Sequence, residues 1–107
     1  MAKLVRDKIP EIIKASGKTP VVYKVTDYKK QHKLLLNKLV EEAKETKAAG
    51  TNYVEVLKEL ADVYEVICTI ANHAGLSIEL VKEAADVKRR ERGGFAEYYV
   101  LEEMIEK

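Results

Sequence analysis

Three long stretches of this chain each open on a helix-capping residue and close on a glycine, and that punctuation constrains the fold more than any other feature. Asp27 opens a periodic stretch that runs to Ala49 and stops at Gly50. Thr51 or Asn52 opens the next, which reaches about Ala74 before Gly75, and Ser77 opens a third, from Ile78 to about Arg92, before Gly93 and Gly94. A capping side-chain oxygen satisfies the free N–H groups at a helix start, and glycine adopts the left-handed conformation that ends one. Glu79 and Glu83 near the start of the third stretch, and Lys88, Arg89 and Arg90 near its end, suit the helix dipole. A shorter helix is predicted over residues 7–15, with Asp7 as its cap, Pro10 in its first turn and Gly17 as its stop. Val21, Val22, Tyr23 and Val25, after Pro20, predict a short extended segment near 21–25, an edge strand for which residues 98–101 are the candidate partner. The segment after Gly94 reads equally well as a strand or as the start of a last helix. With only five glycines and two prolines in 107 residues, and 35% charged residues, the expected fold is all-α: an antiparallel helical bundle, one domain over residues 1–107.

Composition excludes several functions. One cysteine, Cys68, permits neither an internal disulfide framework nor a cysteine-rich zinc site, and it reads as a buried small hydrophobe. No apolar run is long enough to span a bilayer, and the N-terminus lacks the apolar core of a secretory signal, so the expected compartment is the cytoplasm. A net charge of +1 disfavours polymeric nucleic acid and membrane surfaces as partners. That neutrality is an average. Residues 1–40 carry a net +7, residues 41–65 a net −4 and residues 66–107 a net −2. An acidic centre preceded by a basic arm suits a small, highly charged ligand.

The acids of that centre fall on apolar helix faces. In the second helix Leu35, Leu36, Leu39 and Ala43 define the stripe, and Glu42 lies about 20° from Leu35 at 100° per residue, on the buried side. Glu45 sits one turn on, at the stripe's edge, and Glu41 points away toward solvent. The third helix is apolar over most of its circumference, with Leu57, Leu60, Ala61 and Tyr64 on one side and Val56, Val63, Val66 and Ile70 on another. Such a helix is central in its bundle. Glu59 falls among the second set, with Asp62 at its edge. Two helices thus each offer two carboxylates three residues apart in apolar surroundings. Burying unpaired carboxylates is costly, so either cations neutralise them or their pKa values rise. Carboxylates converging from facing helices hold divalent metal in some bundles, and oxygen-only ligands favour Mg²⁺ or Mn²⁺ over zinc. Neither His32 nor His73 lies at helical spacing to these acids, so a histidine-containing di-iron site is unsupported. Against this stands a metal-free bundle whose glutamates form a solvated face with nearby lysines.

Glu41-Glu42-Ala43-Lys44-Glu45, followed after 13 residues by Glu59-Leu60-Ala61-Asp62, resembles the EExxE…ExxD signature of the all-α, MazG-like nucleoside triphosphate pyrophosphohydrolases, relatives of the dimeric dUTPases and of phosphoribosyl-ATP pyrophosphohydrolase. The opening block from Lys3 to Pro10 and the later Lys88…Arg92-Gly93-Gly94-Phe95 resemble a small phosphoribosyl-ATP pyrophosphohydrolase-like subgroup, so the matched blocks span nearly the whole chain. The resemblance implies a helical homodimer or homotetramer. It implies Mg²⁺-dependent cleavage of a nucleotide between the α and β phosphates, with non-canonical nucleotides as one substrate class. By position it makes Glu42, Glu45, Glu59 and Asp62 the metal ligands, with Glu45 as the candidate general base and Glu41 as an acid that orients a ligand or a water.

Basic side chains must complete a site for a polyphosphate. Arg6 and Lys8 in the N-terminal block, and Lys88 and Arg92 before the double glycine, are the candidates for phosphate contact. As plain structure, Lys88 and Arg92 would be helix C-terminal cations and Lys8 a surface charge. Tyr64, Tyr98, Tyr99 and Phe95 are candidates for stacking on a base, with core packing the simpler role for Tyr64. Two other functions compete: the phosphoribosyl-ATP step of histidine biosynthesis, and a non-catalytic helical module that binds nucleotide without turnover.

Overall fold

A computed structural model of the chain describes residues 2–106. Four helices follow one another: α1 (Ile9–Ala15), α2 (Tyr28–Ala49), α3 (Tyr53–His73) and α4 (Ile78–Arg92). The capping expectations hold for the three long helices. The side chains of Asp27, Asn52 and Ser77 accept from the N–H groups of Lys30, Glu55 and Leu80, and Gly50, Gly75 and Gly93 all have positive φ. At α1 the cap is Lys8, not Asp7, with no side-chain bond. The reason is local: the first turn closes one step early, by Ile9 N–H to Arg6 O, which leaves Asp7 inside the turn.

The fold is all-α, and no strand occurs among the described residues. The expected pairing of 21–25 with 98–101 is not made. Pro20 brings no donor, and the Val25 carbonyl accepts instead from the Gln31 side chain at 2.8 Å. Residues 95–106 form neither strand nor helix.

α2 and α3 form a hairpin across the three-residue link at 50–52, and their mutual packing is the main contact in the molecule. Leu35, Val66 and Ala71 are its buried apolar residues. Burying a leucine contributes about 1.5–3 kcal/mol, so this is a small core. The inward face of α2 is rotated from the expected stripe: Leu35, Lys38, Leu39, Glu42 and Thr46 are sheltered, whereas Leu36 and Ala43 are exposed. On α3 the set Val56, Val63, Val66 and Ile70 meets α2, while Val54, Leu57, Leu60 and Tyr64 stay 49–70% exposed. α4 packs only on α3, and within it only Ile78 and Val81 are sheltered.

The molecule measures 65 × 35 × 25 Å with a radius of gyration of 18.3 Å. A compact domain of this length would have about 13 Å. Its accessible surface, 9941 Å², likewise exceeds the roughly 6,000 Å² expected for a compact 12.1 kDa monomer.

At the end of the hairpin far from the link, Tyr28 and His32 both stack with His73, at ring separations of 4.0 and 5.8 Å, and Gln31 hydrogen-bonds His73 Nε2 at 3.1 Å. This polar stack fixes the register of α2 against α3, and with it the height at which the acids meet.

Candidate metal centre

Counting from the stack toward the link, two α2 turns beyond Leu35 bring Glu42 and Glu45 opposite Glu59 and Asp62 of α3. Oxygens of Glu42, Glu45 and Glu59 lie within 4.8 Å of one another. Glu42 is 5% exposed, Glu59 is half-buried and Glu45 faces solvent. Within this group Glu42 Oε2 and Glu59 Oε2 are shielded from water and have no hydrogen-bond partner. Such orphaned acceptors are rare in folded proteins.

The surrounding charges are arranged to offset part of the repulsion. Lys38 Nζ lies 3.1 Å from Glu41 and 3.4 Å from Glu42. Lys3 Nζ approaches Glu41 at 3.7 Å. Arg6 donates to Asp62 Oδ1 at 2.6 Å. These cations do not neutralise the centre. Burial pushes the Glu42 carboxyl above the ordinary range, and the charges of Glu45 and Asp62 add to this against the pull of Lys38. The Glu59 carboxyl is raised too, by burial and then by Glu45, Asp62 and Glu42. Burial alone would lower the Lys38 ammonium, but the two carboxylates it contacts outweigh this and raise it.

The donor set fits a hard divalent cation. Three carboxylates supply oxygen only, two of their oxygens are unpartnered, and a positive ion at their centre would remove the mutual repulsion.

The structure brings together three of the four expected ligands and holds the fourth, Asp62, on Arg6. Arg6 is one of the four candidate phosphate cations, and here it is paired with a candidate ligand. Glu41 is corrected: it is not simply solvated but is half-buried between Lys3 and Lys38. Lys8 is exposed at the start of α1, and Lys88 and Arg92 are exposed on the last turns of α4, with no ion pair to the acids among the described residues. Tyr64 is 49% exposed and not a core residue of this chain, while Phe95, Tyr98 and Tyr99 are each at least 86% exposed. Cys68 is a free thiol, half-buried and not fully buried. Lys38 and Lys3 were missed from the sequence. Lys38 had a legible signal, its four-residue spacing to Glu42. Lys3 had none, since its contact depends on how the N-terminal arm lies across α2.

Along the first half of α2 a cleft of about 460 Å³ lies between the 23–27 segment and the helix, with Lys24, Asp27, Lys30 and Lys33 around Tyr23, Val25 and Leu34. A smaller cleft shares Leu34 and Asn37 with it and reaches Lys3, Leu4, Lys38 and Glu41. No described helix is long and apolar enough to cross a membrane.

Comparison with known proteins points to one family. The family model described as phosphoribosyl-ATP pyrophosphohydrolase matches residues 5–91, which include every acid of the centre. An uncharacterized protein from Mycolicibacterium smegmatis is 51% identical over 51 residues, 48% of this chain and 51% of that protein. The chain thus aligns with about half the length of that curated relative. No solved structure matches.

Proposed function

Because the chain belongs to the phosphoribosyl-ATP pyrophosphohydrolase family, we propose that it is a Mg²⁺-dependent nucleoside triphosphate pyrophosphohydrolase that cleaves between the α and β phosphates, with non-canonical nucleotides among its substrates. Mn²⁺ is the alternative metal. The observation that carries this reading is the pair of buried, unpartnered carboxylate oxygens of Glu42 and Glu59 beside Glu45.

Glu42, Glu45, Glu59 and Asp62 are the proposed ligands. When bound, the divalent cation would supply the positive charge that lets a triphosphate approach acids and that acidifies water. Glu42 and Glu59 are fixed by packing. Glu45 is the exposed member, open to water, which suits a general base that takes the proton of the attacking water. Glu41, restrained by Lys3 and Lys38, orients that water or a ligand. Asp62 would help to hold the cation, and Arg6, which pairs with it here, would then be available to a phosphate oxygen. Lys8, Lys88 and Arg92 are further phosphate contacts, the last two reaching the substrate from α4.

The surface far beyond that of a compact monomer, and the bare stripe of Val54, Leu57, Leu60 and Tyr64 on α3, support a homodimer or homotetramer of a single domain over residues 1–107. No membrane-spanning helix is present among the described ones, in keeping with a cytoplasmic enzyme.

The family match equally supports a second reading, hydrolysis of phosphoribosyl-ATP in histidine biosynthesis. One assay decides between them: pyrophosphate release over a panel of ordinary, deoxy and modified nucleotides, with phosphoribosyl-ATP included. Release of orthophosphate would overturn the cleavage position. Metal binding without turnover of any substrate would favour the non-catalytic module.

A further inference from the structure

Among the described residues, 95–106 are exposed throughout and hydrogen-bond to no residue outside the segment. Phe95, Tyr98, Tyr99, Val100, Leu101, Met104 and Ile105 are 76–92% exposed. Among the described residues the arm's one hydrogen bond is internal, from Tyr98 N–H to Phe95 O. The arm also carries Glu97, Glu102, Glu103 and Glu106 with no basic residue. So many exposed apolar side chains in one segment are unfavourable in water unless something covers them.

The same molecule holds a surface of matching chemistry. The two clefts along α2 share Leu34 and Asn37 and so form one groove. Its apolar lining includes Tyr23, Val25, Leu34 and Leu4, and its charged lining is Lys3, Lys24, Lys30, Lys33 and Lys38 against the two acids Asp27 and Glu41, a net basic surface. Of these five lysines, Lys3 and Lys38 reach Glu41 and Glu42, while Lys24, Lys30 and Lys33 form no ion pair among the described residues. Apolar lining and net basic charge complement an apolar, acidic arm.

We infer that the C-terminal arm of one copy docks in the α2 groove of a second copy. The arm stands clear of its own groove, which makes the second copy the occupant. If the exchange is reciprocal about a twofold axis, each contact is made twice. The surface supports it: 9941 Å² is about 4,000 Å² more than a compact monomer would expose, whereas a stable dimer needs to cover only about 800 Å² per partner. Arm exchange deepens the oligomeric part of the proposed function and rests on it. The docked arm would lie alongside Lys3, Lys38 and Glu41 and so form one wall of the metal centre.

The test uses full-length chains. A chain with Cys68→Ala and Tyr99→Cys carries benzophenone maleimide on the new thiol, is mixed with ¹⁵N-labelled wild type, irradiated and mapped by mass spectrometry. Cross-links from the labelled arm to residues 23–38 of the heavy copy are expected. Cross-links confined to the same copy, to α3 of the heavy copy, or to nothing would overturn the inference. In a second measurement, Lys30→Glu with Lys33→Glu weakens self-association about tenfold at low salt. Combining it with Glu102→Lys and Glu103→Lys restores association. Unchanged association in the first pair, or no restoration in the second, would overturn the inference as well. Thermal stabilisation by Mg²⁺ is measured in every variant: loss of the arm contact with that stabilisation intact separates failure of this inference from failure of the metal-site reading.

Discussion

At the residue scale the molecule is defined by carboxylates placed where carboxylates are costly. Glu42 is the most buried charged group, and Lys38 meets only one of its oxygens. Glu42→Gln keeps the shape and removes the charge, so its two effects have opposite signs. Without divalent cation the variant melts higher than wild type. With Mg²⁺ it loses the metal-induced rise in melting temperature, and turnover falls more than roughly 100-fold. Calorimetry with and without Mg²⁺ checks both, and a variant less stable in both conditions would mean that Glu42 is held by contacts unrelated to metal. The pH dependence follows from the same burial. Glu42 and Glu59 bind their protons more tightly folded than unfolded. Their contribution to stability is therefore present at acidic pH and is lost as pH rises from the ordinary carboxylate range through their raised folded values. A metal-free melting series should show that decline, and Mg²⁺ should reverse it, with the reversal growing as the acids shed their protons. Lys38 acts at the other end of the scale: its contribution is full below the ordinary lysine value and fades only as pH rises through its raised folded value.

At the element scale, what the sequence made legible was local. Caps and glycine stops placed α2 and α4 to the residue and α3 to within one, because a side-chain oxygen meeting its own backbone three residues on needs no knowledge of the rest of the chain. The phase of Glu42 and Glu59 was legible for the same reason. Interactions set by distant packing were not. Arg6 meets Asp62 across 56 residues, and no spacing rule reaches that far. The rotated face of α2, which shelters Lys38 and exposes Leu36 and Ala43, depends on which side of α3 receives it. The hairpin's dependence on its few buried residues gives a prediction. Leu35→Ala should destabilise the chain by about 2–5 kcal/mol, because no neighbouring element can collapse into the space. Ser77→Ala, which removes only the cap of α4, should cost about 1 kcal/mol. Urea titrations of both variants test the ordering, and equal losses would contradict a core concentrated between α2 and α3.

At the scale of the whole molecule, the bare stripe on α3 and the small core are two sides of one fact: α3 is apolar nearly all round, yet among the described helices only α2 and the start of α4 pack on it. The acidic cluster lies on the covered face and the stripe of Leu57, Leu60 and Tyr64 on the open one, so the two can be separated by mutation. Leu57→Glu places a charge in a surface that is 70% exposed in the single chain and carries little of the hairpin's own packing. If this surface meets a second copy, as proposed, wild type associates in sedimentation equilibrium and the variant stays monomeric. The substitution should also lower the melting temperature in a way that no longer depends on protein concentration, since association that favours the folded state acts by mass action. Mg²⁺ should still raise the melting temperature of that monomer, because Glu42, Glu45 and Glu59 come from one chain. A monomer that has lost its response to Mg²⁺ would instead show that the acids hold their geometry only inside the assembly. An unchanged sedimentation profile would show that Leu57 lies outside the contact between copies.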